Sequence, residues 1–236
     1  MGKWMLFKLI KFIVGVLLLP ICYALTQSLT YFLLHLNDSA GLGPLTPEST
    51  GFLIGAILWI VLFIALPHPV KTYVFAHEMT HAIWGVAAGG RVKGLKVRDS
   101  GGAVLLTKSN FLVALAPYFF PLYSVIVLIA YGVVSAFYEI GVYQPFWMGM
   151  LGLTWAFHIT FTLRTLKQHQ SDIASQGRIF SYTLIYIVNT FIVIIMLIAM
   201  GTPTFRFFLT YFTNELIDLF HHINEFALYF MNRISN

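Results

Sequence analysis

Residues 51–88 read GFLIGAILWIVLFIALPHPVKTYVFAHEMTHAIWGVAA. A helix needs about 20 mostly apolar residues to cross the hydrocarbon of a bilayer. The run from Gly51 to Leu66 is apolar throughout, but the whole stretch is too long for one straight crossing. Pro67 and Pro69 interrupt it, because each proline removes a backbone donor and clashes with the preceding turn. The sequence therefore predicts one helix at 51–66 and a second at about 70–88, the latter carrying His77, Glu78 and His81.

Other apolar runs of spanning length lie at 9–35, 111–133, 146–166 and 179–200. Of the 236 residues, 58% are hydrophobic and only 10% charged, with a mean hydropathy of +0.81. Globular domains carry about 25% charged residues, so this chain lacks the polar surface of a water-soluble protein, a disordered segment or a soluble nucleic-acid binder. An all-α polytopic membrane protein with about five to six membrane helices is the class that fits. Lys3, Lys8 and Lys11 precede the first run as in a signal peptide. The run continues to Leu36 without a small-residue cleavage site, so an uncleaved anchor helix is expected. The single cysteine, Cys22, allows no intrachain disulfide.

The net charge of +5 comes from basic residues clustered between apolar runs. With the N-terminus in the cytoplasm, the segment 89–110 (Arg91, Lys93, Lys96, Arg98, Lys108) and the connection with Arg164, Lys167 and Arg178 fall on the inner face. Eleven of the fourteen basic residues then lie inside, as the positive-inside rule requires. The expected organisation is an N-terminal anchor and outer loop at 1–50, a membrane core at 51–200, and a C-terminal segment at 201–236. In that last segment Phe212, Leu216, Leu219, Ile223, Phe226 and Phe230 recur at helical spacing among polar residues, which predicts an amphipathic helix.

His77-Glu78-Met79-Thr80-His81 carries the chemistry. Positions i and i+4 share a helix face, so both imidazoles can reach one metal ion, with Glu78 beside it to take a proton from water. Such groups in an apolar helix are costly unless paired or metal-bound. Further along, Val92, Leu95 and Val97 interleave with Lys93, Lys96 and Arg98, with Gly94 shifting the register. Asp99-Ser100-Gly101-Gly102 reads as a turn leading into Ala103–Thr107, giving a short cytoplasmic β-hairpin that either holds an unwound substrate by strand addition along its edge or contacts lipid headgroups through its basic residues. Pro117 and Pro121 free carbonyls in the 111–133 helix that neighbours must satisfy; they either kink the helix around the active site or only shape its packing, and packing is the default expected of them.

HEMTH in an apolar helix, followed by Gly89-Gly90-Arg91-Val92, a basic strand-like segment and another membrane helix, resembles the site-2 protease family of intramembrane zinc metalloproteases over about 70–200. That resemblance implies zinc held by His77 and His81, Glu78 as general base, and a substrate that is a membrane-embedded or juxtamembrane protein cut near the cytoplasmic face. The family's third ligand is an aspartate in a Leu-Asp-Gly motif, which this chain lacks. Asp172, in Gln170-Ser171-Asp172-Ile173, is the candidate, with a helix cap as its alternative role. His158, within the 146–166 run, competes as ligand or as a group behind the ligands. Asn110 is a further candidate for positioning substrate. The reading from another class is a catalytically silent membrane scaffold or chaperone of the same fold. A prenyl-protein endopeptidase would need a glutamate as third ligand. Glu139, Glu215 and Glu225 all fall on the outer face in this topology.

Overall fold

The structure is a computed structural model that describes residues 2–34, 46–98, 101–200 and 205–234. It is mostly helical. The elements are α1 (Gly2–Leu17), α2 (Leu19–Leu34), α3 (Pro47–Ala65), α4 (Val70–Ala87), β1 (Val92–Arg98), β2 (Gly101–Leu106), α5 (Phe111–Leu115), α6 (Leu122–Phe137), α7 (Gln144–Leu166), α8 (Ser171–Gln176), α9 (Arg178–Met200) and α10 (Phe205–Ile234). Four helical stretches are long and apolar enough to cross a membrane: Met5–Tyr31, Pro47–Ala65, Gly141–Leu166 and Arg178–Ile198. The bent pair Phe111–Tyr118 and Leu122–Phe137 makes a fifth if counted as one span. These features are compatible with a multi-pass membrane protein.

The chain divides into two compact units, Leu45–Gln176 and Met1–Pro44 with Gly177–Asn236. The second unit contains α1, α2, α9 and α10. Leu18 alone separates α1 from α2, which has Pro20 as its second residue, and Leu18 N–H to Val14 and Cys22 N–H to Leu18 carry the backbone bonding from α1 into α2. Leu25, Ile194 and Phe208 form its buried cluster, and Tyr211 donates to the Tyr31 hydroxyl at 2.6 Å. The amphipathic helix expected near the C-terminus is α10, within the described range 205–234.

The Leu45–Gln176 unit holds the candidate site. Thr46 caps α3, its hydroxyl accepting from the Ser49 amide at 3.1 Å with Pro47 in the first turn, so the helix starts before Gly51 and includes Glu48. The break at Pro67 and Pro69 falls where the sequence puts it. Helices α3 and α7 run side by side in the same direction, Gly51 beside Pro145 and Trp59 beside Phe157. Glycines permit the approach. A Cβ on Gly55 would overlap the Gly149 carbonyl, and one on Gly152 would overlap that of Phe52. Beyond the glycines Trp59 donates to the Thr160 hydroxyl at 2.9 Å and packs with Tyr73, Phe157 and Phe161.

Helix α4 ends in a Schellman motif. Gly89 has φ of +76°, Gly89 N–H bonds to Val86, and Gly90 N–H bonds to Gly85. The Gly89-Gly90 pair thus turns the chain into β1, which pairs antiparallel with β2. The register shifts between Val92 and Gly94, as the position of Gly94 led one to expect. Asp99 and Ser100, half of the expected turn, lie outside the described residues, and Gly101 and Gly102 belong to β2.

One expectation is corrected. The 111–133 run is not a single helix: its first part, Phe111–Tyr118, and α6 meet at a bend of 82°. Pro117 and Pro121 lie at this break, where the missing donors end the helical ladder. The bend shapes the candidate site, so these prolines do more than adjust packing.

Candidate metal centre

Tyr73, His77 and His81 are spaced by four along α4 and share one face. The Nε2 atoms of His77 and His81 lie 3.6 and 3.4 Å from Oδ2 of Asp172, which the first turn of α8 presents. In a tetrahedral site with bonds of about 2.0–2.1 Å, two ligand atoms sit about 3.3 Å apart. The observed separations are close to that edge, and the three donors all lie within 4.8 Å of one another, so His77, His81 and Asp172 can hold a metal ion. This is the only such group among the described residues. Asp172 therefore faces the two histidines, and its ligand reading has a geometric basis that a helix cap would not provide.

The support for His81 is traceable to sequence. In a continuous helix the Val113 carbonyl would accept from residue 117, but residue 117 is proline and has no N–H. The freed carbonyl accepts from Nδ1–H of His81 at 2.8 Å. That fixes the tautomer and leaves Nε2 toward Asp172. Asn110 caps the same short helix, its Oδ1 accepting from the Val113 amide at 2.9 Å. Asn110 is exposed and does not line the cavity described below. Its observed work is to hold the turn that holds His81.

Tyr118, at the proline bend, donates to Oδ2 of Asp172 at 3.3 Å, and its ring stands edge-on to His77 at 5.3 Å. Tyr73 places its hydroxyl 3.4 Å from Nδ1 of His77. Burial works to raise the Asp172 carboxyl, but the imidazoles of His77 and His81 beside it outweigh that and hold it below the ordinary carboxylate range. Asp172 is thus kept as the anion a metal ligand must be.

The three donors open onto a cavity of about 920 Å³ lined by α4, β2, α5, the end of α7 and α8. Glu78 lines it too and is only 7% exposed. Its side chain lies against the backbone of β2: a Cβ on Gly102 would overlap Glu78 Cγ and come 2.7 Å from Oε1. Position 102 therefore has to be glycine for Glu78 to sit where it does. Arg164 lines the other wall with Gln168 and Gln170.

The structure brings together His77, Glu78, His81 and Asp172 in one cavity. It does not bring His158 into the ligand group; that side chain is buried on α7 in a separate small cavity that His77 also lines. Tyr73, Tyr118, Val113 and Gly102 were not singled out from sequence. Two had a signal: Tyr73 continues the four-residue spacing of the histidines, and Pro117 stands four residues after Val113.

No protein-family model, curated protein or solved structure matches this chain.

Proposed function

We propose that this chain is an intramembrane zinc metalloprotease of the site-2 protease type, hydrolysing peptide bonds of membrane-embedded or juxtamembrane proteins near the cytoplasmic face. The observation that carries the reading is the convergence of His77, His81 and Asp172 within 4.8 Å, both histidines close to a tetrahedral edge length from Asp172, with Glu78 in the same cavity. Two imidazoles and a carboxylate, with a fourth position left open, form a donor set suited to catalytic zinc.

Zinc, when bound, supplies a Lewis acid that acidifies water and polarises the scissile carbonyl. The residues supply the rest. Glu78 takes the proton from the attacking water and passes it to the leaving amine. Asp172 and the two histidines fix the metal, Val113 and Tyr118 fix them, and the buried setting of Glu78 limits competing water. β2 pairs with β1 on one edge, and its residues line the cavity along their length. An extended substrate segment added along β2 passes beside Glu78, which explains how a membrane helix, once unwound, is presented.

The parallel course of α3 and α7 agrees with an alternating topology in which both run inward and the basic segments near 89–110 and 164–178 lie in the cytoplasm. Five membrane crossings follow if the bent pair is one span.

The test is cleavage of a tethered model substrate by detergent-purified protein, wild type beside Glu78→Gln. Cleavage by wild type, abolished in Glu78→Gln with metal content unchanged, supports the reading. A metal-loaded wild type that cleaves no member of a membrane-peptide panel would favour a silent scaffold.

A further inference from the structure

His77 and His81 are alike in type but unequally held. His81 gives Nδ1–H to a carbonyl at 2.8 Å, whereas Nδ1 of His77 has the Tyr73 hydroxyl at 3.4 Å, near the limit of a hydrogen bond. A metal-binding histidine ordinarily anchors its second nitrogen firmly.

Behind His77 lies a second cavity, of about 10 Å³, lined by Tyr73, His77, Thr80, Tyr123, Thr154 and His158 among apolar groups. That volume is near what one water molecule requires. The other hydroxyls on its wall have partners. Thr80 donates to Ala76, Tyr123 to Thr72, and Thr154 to Met150. His158 differs: it is 7% exposed, and its Nε2 has no hydrogen-bond partner among the described residues. Thr162, one turn along α7, has an unpaired hydroxyl as well but is not on this wall. A buried polar nitrogen left alone inside a candidate membrane helix is unfavourable unless something satisfies it.

We propose that this cavity binds one water that accepts Nδ1–H of His77 and donates to Nε2 of His158, making His158 a positioning residue for the metal centre. A water supplies both halves of that bridge and suits a polar pocket of this size. His158 then does for His77 what the Val113 carbonyl does for His81. It fixes the tautomer, leaves Nε2 for the metal, and restrains the ring. This inference rests on His77 being a metal ligand.

The experiment measures zinc affinity by competition with a chromophoric chelator, using the full-length detergent-purified protein. Wild type is compared with His158→Phe, His158→Leu and His158→Gln. Removing a group that supports a ligand typically weakens metal binding about 10–100-fold, and that loss is expected for Phe and Leu. Gln, whose Oε1 reaches about as far as Nε2, is expected to stay close to wild type. The apo forms of the Phe and Leu variants are expected to melt as wild type does, which separates lost support from lost folding. Two apolar variants guard against one failing to fold. Wild-type affinity in either folded apolar variant overturns the proposal, as does an equal loss in Gln. If wild type itself binds no zinc, the ligand reading falls, and this proposal with it.

Discussion

His81 reaches the Val113 carbonyl because Pro117 cannot. The 2.8 Å bond between Nδ1 of His81 and that carbonyl occupies the position a helical N–H at residue 117 would take. Pro117→Ala restores a competing donor. Metal affinity is expected to fall about tenfold or more, with the helical content of the folded protein retained. Chelator competition together with circular dichroism checks this; unchanged affinity would mean the carbonyl contributes nothing to the centre.

Gly102 sets the position of the proposed base. Gly102→Ala pushes a methyl group into Glu78, so cleavage is expected to drop about 100-fold or more, the scale of a lost general base, while metal content stays at the wild-type level. Metal lost in parallel with activity would instead point to a general collapse of the hairpin.

Tyr118→Phe removes the hydroxyl donated to Asp172 at 3.3 Å and keeps the ring against His77. The expected result is zinc binding weakened about tenfold with little change in melting temperature. A loss of stability with unchanged zinc binding would assign the hydroxyl to folding alone.

Acidification has a defined order. Asp172 is held below the ordinary carboxylate range, so its ionised form is the one favoured in the folded site. Its contribution is full at neutral pH and is lost only as pH falls through that lowered value. Histidine must be neutral to bind a metal, so protons compete with the metal for Nε2 of His77 and His81. Stepwise dialysis from about pH 7.5 to about pH 4 should therefore release metal as the histidines protonate, while Asp172 is still ionised. Retention down to the carboxylate range would show that histidine protonation does not control release.

The α3–α7 crossing gives a stability test. Gly55→Leu forces a side chain into the Gly149 carbonyl, and a loss of several kcal/mol, about 3 or more, is expected. Thermal unfolding in detergent measures it; a wild-type melting temperature would show that the helices separate at little expense.

Local features were legible in the sequence. His77 and His81 are one helical turn apart, and the prolines at 67 and 69 mark a break by their own chemistry. Pro117 and Pro121 mark where a kink can fall, but the 82° angle was not legible, because the apolar run from Phe111 to Val133 continues across it and hydropathy does not record direction. Asp172 could be named but not distinguished from a cap, since its partners lie about 90 residues away in sequence. Gly51, Gly55, Gly149 and Gly152 were visible as glycines, but no local rule states which helix each will meet. Asn110 caps α5, a use that the following Phe-Leu-Val already allows.

The most direct test is metal content of the purified full-length protein, wild type beside His77→Ala, His81→Ala and Asp172→Ala. About one zinc per chain is expected in wild type, and its loss is expected in each variant with the fold intact. Well-folded wild type without metal, or Asp172→Ala with wild-type zinc content, would contradict the centre drawn here.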